Sequence, residues 1–142
     1  MKWVLDASMA LAWLISRVEP DEAALAERAL RQLVDAELTV PVLWFTEIAN
    51  AMLRGERAGR ISQEKSAFSL AKMLELPLLV DPRPVEDQLR TVSVLARQYN
   101  LTAYDATYLE LALHTGSELA TFDRPLAEAM RRAGGRVFGD QG

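Results

Sequence analysis

The sequence has no cysteine. Disulfides, thiolate zinc sites and cysteine nucleophiles are removed together, and a reducing compartment fits. Histidine is almost as scarce: His114 is the single one, which nearly excludes histidine triads and multi-histidine metal centres. Apolar runs are short as well. The longest, "MALAWLI" at residues 9–15, falls far below the roughly 20 residues that a membrane-spanning helix needs. Lys2 ahead of it mimics the start of a signal peptide, but Asp6 interrupts the apolar stretch and no convincing small-residue cleavage site follows. The expectation is a cytoplasmic protein with no membrane association. Nor is there an excess of positive charge, because 16 Lys+Arg stand against 20 Asp+Glu for a net −4, so any nucleic-acid binding has to be local. Hydrolytic chemistry in such a chain relies on carboxylates, hydroxyls or a hard metal ion held by oxygen.

What is present is a regular alternation of strand-like and helix-like segments. The 142 residues suit one domain with a real core, and no repeat, linker or low-complexity stretch divides residues 1–142. "KWVLD" (2–6) reads as a buried strand, followed by a helix from about Ser8 that Glu19, Pro20 and Asp21 punctuate. "DEAALAERALRQLVDA" then forms a helix with Leu25, Ala29, Leu30 and Leu33 on one face, and "LTVP" is the next strand. Between Leu43 and Ala58, Trp44, Phe45, Ile48, Ala49, Met52 and Leu53 recur at helical spacing, with Gly59 as a stop. These aromatics, with Trp3 and Trp13, are expected in the core rather than under a nucleobase. A helix begins at Ser62, a strand covers 78–80, and Pro82 and Pro84 turn the chain into "VEDQLRTVSVLARQYN". "LTAYDATYLELA" opens a helix ending near Thr115 and Gly116; "SELATFD" is a strand, "RPLAEAMRRAGG" a helix, and "RVFG" a last short strand. This order predicts an α/β domain with a mostly parallel central sheet and helices on both sides.

Three acids fall where elements meet. Asp6 ends the first strand, Asp123 ends "ELATF", and Asp105 begins its helix, so all three are expected at strand-to-helix junctions, where open parallel sheets form their ligand sites. Each also has an ordinary explanation. Thr102 and Asp105 have the spacing of a capping box, Asp123 before Arg124 and Pro125 has the look of an N-cap, and Ser8 is better placed than Asp6 to cap its helix. Glu47 breaks the apolar periodicity of its helix and shares a face with Asn50 and Arg54, which is also what a solvated stripe does. If the four carboxylates converge, they cannot all stay ionised without a cation, because like charges raise one another's pKa. With no cysteine or partner histidine, Mg²⁺ or Mn²⁺ is the natural neutraliser, and such a site favours phosphodiester hydrolysis by activating water and offsetting charge on phosphate oxygens.

"VLDAS", "PVLWFTEIANAMLRGERAGRIS", "LTAYDATYLELA" and "LATFDRPLAEAMRRAG" together resemble the PIN-domain ribonucleases, specifically the VapC-type toxins of prokaryotic toxin–antitoxin pairs, in order and spacing over nearly the whole chain. The resemblance implies a PIN-like three-layer sandwich around a short parallel sheet, and Mg²⁺- or Mn²⁺-dependent endonucleolytic cleavage of RNA leaving a 5′-phosphate and a 3′-hydroxyl. It places the metal-binding, catalytic acids at Asp6, Glu47, Asp105 and Asp123, with Asp6 and Asp105 on the main metal and Ser8, Asn50 and Thr121 in support. It further implies a homodimer inhibited by a tightly bound cognate antitoxin.

RNA binding has two local basic groups to draw on. Residues 53–72 carry Arg54, Arg57, Arg60, Lys65 and Lys72 against Glu56 and Glu64, and Arg124, Arg131, Arg132 and Arg136 surround the last helix. Ordinary charged helix surfaces look the same. His114 is expected to face the helix dipole in the last turn of its helix rather than a metal. Apolar positions around Leu70, Met73 and Leu74 suit either a dimer or antitoxin groove or the core. The rivals to a ribonuclease toxin are a PIN-like partner-binding module that has lost catalysis and a phosphoacceptor regulatory domain using a strand-end Asp.

Overall fold

Strand β1, Lys2–Leu5, buries three consecutive residues, as a strand covered on both faces must. The computed structural model describes residues 1–15 and 19–141. β1 pairs in parallel with β2, Glu37–Val40, on one side and with β4, Glu118–Ala120, on the other. β3, Leu78–Val80, extends the sheet beyond β2, giving the all-parallel order β3-β2-β1-β4. The chain therefore grows from the centre to one edge and then jumps back across β1. That reversal defines a switch point between β1 and β4, where the loops beyond the strand ends diverge and leave a crevice.

Parallel strands need crossovers, and helices supply them. After β1 come α1, Ala7–Ala12, and α2, Pro20–Gln32, which a short 3₁₀ turn at Leu33–Asp35 closes. α3, Leu43–Arg57, and α4, Gln63–Leu74, connect β2 to β3; α5, Val85–Tyr99, and α6, Ala103–Thr115, connect β3 to β4; α7, Arg124–Arg132, follows. The helices flank the sheet as a three-layer α/β sandwich. Asn100 and Gly116 end α5 and α6 in the left-handed conformation, which a residue with a bulkier, branched side chain resists. Among the described residues, no helix is long and apolar enough to cross a membrane.

Several sequence expectations change in detail. The helix expected from Ser8 towards Glu19 forms over Ala7–Ala12, and its continuation through residues 16–18 lies outside the described residues. Of the stripe expected on α2, Ala29 is buried, Leu25 packs against the core and Leu33 is buried in the following 3₁₀ turn, whereas Leu30 is 45% exposed and Ala26 is buried in its stead. "RVFG" forms only an isolated bridge, Leu119 with Val137. Trp3 and Trp44 are fully buried as expected, and Phe45 and Trp13 pack against the core. Of the suspected surface group, Met73 belongs to the core whereas Leu74 is 70% exposed.

Candidate active site

The crevice at the switch point is lined by Asp6, Ser8, Glu47, Asn50, Arg54, Asp105 and Asp123, around a cavity of about 230 Å³. Four carboxylates reach it from four separate parts of the chain. Asp6 follows β1, Glu47 lies in the second turn of α3, Asp105 in the first turn of α6, and Asp123 follows β4. The glutamate stripe of α3 thus faces this cavity with Glu47, Asn50 and Arg54 all along it.

Asp6 is almost completely buried, and its burial is compensated. Its Oδ2 accepts from the Ser8 and Thr121 hydroxyls, each at 2.6 Å. Ser8 Oγ in turn accepts from the Phe122 N–H at 2.9 Å, and Thr121 Oγ1 from the Asp123 N–H at 2.9 Å. The two hydroxyls therefore stitch the end of β1 to the end of β4. Sequence order suggests Ser8 as the α1 cap, but Asp6 takes the N-cap position by backbone geometry with no side-chain capping bond, and Ser8 is spent on the cross-strand link.

Asp123 serves two purposes. Its Oδ1 accepts from the Leu126 N–H at 3.0 Å and caps α7, with Pro125 in the first turn, while the residue also forms part of the cavity wall. At α6, Thr102 caps through the Asp105 N–H at 3.1 Å, which places Asp105 at the site. The expectation of a strand-to-helix junction fails for this residue: α6 follows α5 through a three-residue turn, and Asp105 reaches the sheet edge because α6 packs beside β1 and β4.

The electrostatics are those of crowded like charges. Desolvation pushes the Asp105 carboxyl up to about 6, with Asp123, Asp6 and Glu47 adding repulsion and Thr102 easing it. Burial also raises Asp6, against the Ser8 and Thr121 hydrogen bonds, and Asp123 adds to the rise. Glu47 is raised by burial, eased by Tyr108 and pushed further by Asp6. Tyr108 is the site residue that sequence reasoning missed. Its hydroxyl donates to Glu47 Oε1 at 2.5 Å from a fully buried position, and burial, Asp6 and Glu47 push its pKa far upward. The three-residue step from Asp105 to Tyr108 was the available signal, since it places both on one face of α6.

The remaining predicted residues distribute unevenly. Asn50 and Arg54 are exposed on the cavity rim, whereas Arg57 and Arg60 are exposed but outside its lining. Arg124 lines a neighbouring cavity of about 600 Å³ that shares Asp123 with this one. Arg131 of the same basic group is tied to Asp140 by two 2.8 Å bonds.

The donor set is all oxygen, which suits Mg²⁺ or Mn²⁺. Among the described residues, no group of three or more His, Cys, Asp or Glu is drawn together tightly enough to hold a metal ion as placed. Crowded anions with no cation paired to them are expected to stand apart, and here Asp6, Glu47 and Asp123 each direct one oxygen to a protein donor while Arg54 stays on the rim. No described residue donates a hydrogen bond to Oε2 of Glu47 or Oδ2 of Asp123, so both keep acceptor capacity for a cation.

Comparison with known proteins agrees with this arrangement. The PIN domain family matches residues 3–131. Ribonuclease VapC3 of Pyrobaculum aerophilum is 31% identical over 128 residues, covering 90% of this chain and 94% of the relative. The crystal structure of PAE2754 from Pyrobaculum aerophilum superposes with a TM-score of 0.66 at 26% identity, covering 91% of this chain and 84% of that one. A parallel sheet in the order β3-β2-β1-β4, an acidic crevice at its switch point and this kinship over nine-tenths of the chain lead to one assignment: the chain belongs to the PIN-domain family, as a relative of the VapC-type ribonucleases.

Proposed function

We propose that this protein is a Mg²⁺- or Mn²⁺-dependent endoribonuclease, the toxin of a toxin–antitoxin pair. The observation that carries the proposal is the convergence of Asp6, Glu47, Asp105 and Asp123 on one cavity, where burial, with repulsion from the other three acids added, raises Asp105 to about 6. Such a cluster is electrostatically unfavourable until a cation joins it. Asp6 and Asp105 would hold the ion, with Glu47 and Asp123 completing its surroundings. A bound divalent ion supplies an activated water and offsets negative charge on the phosphate being cleaved.

The chain's own groups do the rest. Ser8 and Thr121 fix the Asp6 carboxylate through Oδ2, so that it meets a cation in one orientation. Arg54 on the rim offers a phosphate contact beside the acids, where an anionic RNA would otherwise be repelled. Asn50, one turn from Glu47 on the same helix face, adds an uncharged polar group that tolerates either the phosphate or the cation. Arg57, Arg60 and Arg124 lie further out and extend the RNA track. A cognate antitoxin covering the cavity and a homodimer complete the proposed biology.

The test is incubation of purified protein with a mixed RNA pool in Mg²⁺, in Mn²⁺ and in EDTA, with mapping of the cut ends. Cleavage in metal, none in EDTA, and 5′-phosphate ends are expected, with loss of at least ~100-fold in Asp6→Asn and Asp105→Asn. Wild-type rates in either variant would remove the assignment. Tight partner binding with no cleavage at any metal concentration would favour the catalytically silent PIN-like module.

A further inference from the structure

We propose that Tyr108 is a positioning residue for this site, its buried hydroxyl holding Glu47 in the one orientation in which that carboxylate can face a cation. The inference rests on the metal-dependent reading given above. A buried phenol needs a hydrogen-bond partner, and the Tyr108 hydroxyl has Glu47 Oε1 at 2.5 Å. The bond joins residues 61 positions apart, so it ties α3 to α6, the two helices that each deliver one acid to the cavity.

The geometry suits positioning better than packing alone. Glu47 has three rotatable side-chain bonds and is only half-buried, so burial by itself does not fix its carboxylate in one orientation. Among the described residues, Tyr108 donates the only side-chain hydrogen bond that Glu47 accepts. Asp6 and Asp123, by contrast, are fixed by hydroxyls or a helix N–H close to them in the sheet edge. Tyr108 does for the helical acid what Ser8 and Thr121 do for the strand-end acid. Because the phenol bonds Oε1, the second carboxylate oxygen keeps its acceptor capacity. The ring is completely buried, which leaves the hydroxyl little freedom to follow any other rotamer of Glu47.

The test is Tyr108→Phe, which keeps the ring and removes the bond, with Mn²⁺ affinity measured by calorimetry on RNA-free protein and cleavage measured beside it. Loss of a hydrogen bond behind a metal ligand lowers affinity or rate by about 10-fold or more, and the fall is expected in kcat rather than in KM for RNA. In a Glu47→Gln background the same substitution is expected to change Mn²⁺ affinity no further. Wild-type affinity in Tyr108→Phe, or an equal fall in both backgrounds, overturns the proposal. If the Phe variant does not fold, the ¹³Cζ resonance of Tyr108 in the wild type decides. A shift on adding Mg²⁺ that Glu47→Gln abolishes supports the role, and a resonance that ignores Mg²⁺ refutes it. A wild-type protein that binds neither ion removes the enzymatic reading, and this inference with it, whereas binding weakened by Glu47→Gln but not by Tyr108→Phe removes this inference alone.

Discussion

Asp81 and Glu110 are as deeply buried as Asp6, at 7%, 5% and 6% exposed, yet the two groups of acids live by different rules. Asp81 and Glu110 share Arg83. The guanidinium bonds Asp81 in bidentate fashion through Nε at 3.1 Å and NH2 at 2.9 Å, and the same NH2 lies 2.7 Å from Glu110 Oε1. Burial would raise the Asp81 carboxyl, but hydrogen bonds and charge from Arg83 outweigh it and hold the group below its ordinary range. At the cavity the acids have hydroxyls and one another for company, and Asp6, Glu47 and Asp105 are all raised. A buried acidic cluster that carries its own cation belongs to the architecture. The cluster at the cavity has no such ion pair among the described residues, although Arg54 stands on its rim, and the proposed function gives the pairing role to a divalent ion.

The largest effect should come from taking the internal cation away. Arg83→Met leaves Asp81 and Glu110 buried and unpaired, and a loss of about 3 kcal/mol is expected in urea unfolding. Unchanged stability would mean that the contrast drawn here is false. Supplying the missing cation at the cavity should work in the opposite direction. Mg²⁺ or Mn²⁺ at ~100 times its Kd stabilises the wild type by about 2.7 kcal/mol, seen as a higher Tm than in EDTA. A Tm that ignores both ions would reduce the cavity to surface acidity.

The smallest effect sharpens the comparison most, because its sign is unusual for a core-edge substitution. Asp105→Asn removes one of the repelling charges, so in EDTA it should stabilise the protein by roughly 1 kcal/mol after allowing for solvent screening, even as it abolishes cleavage. The pH dependence follows from the same group. Its folded pKa of about 6 lies above the ordinary 3.8, so its contribution to stability is fully present below about pH 4. That contribution is lost as the pH rises through about 6, giving a downward slope in EDTA that Asp105→Asn flattens. Asp81, held low, has the opposite dependence: its contribution is present above its ordinary pKa and fades as the pH falls through the lowered value. A stability profile in EDTA that does not change between pH 4 and 7 in the wild type would contradict the raised Asp105.

The two clusters also differ in how far sequence revealed them. Asp6 and Asp123 stand at strand ends and Glu47 interrupts an apolar stripe, so periodicity marks them as candidates, but caps and a solvated stripe explain the same pattern and only the motif resemblance joins them into one site. The capping pattern of Thr102 and Asp105 explains that acid without any site, and only the motif resemblance sets it beside the others; its place after the helix α5 and a turn also differs from the strand-to-helix junction expected for it. Tyr108 stayed hidden because α6 is apolar on nearly every side: Ala106, Tyr108, Leu109, Leu111 and Ala112 are all buried, and no stripe distinguishes one buried aromatic as a hydrogen-bond donor. The Arg83 network was equally silent. "DPRP" reads as a turn, and nothing local tells that its arginine meets Glu110, 27 positions away. The parallel α/β layout was legible from alternation of elements, while the reduction of the last strand to a single bridge at Val137 was not, since "RVFG" has strand-like residues but only one bridge partner in Leu119.

The bond from Thr121 to Asp6 spans 115 positions, and β1 sits between strands that are made early and late. During synthesis, which presents the N-terminal part first, Asp6 emerges long before the hydroxyl and the strand that orient it. The crevice therefore cannot close around a nascent chain until β4 has left the ribosome. The crevice is among the last parts of the fold to be completed, because one of its walls is made near the end of the chain.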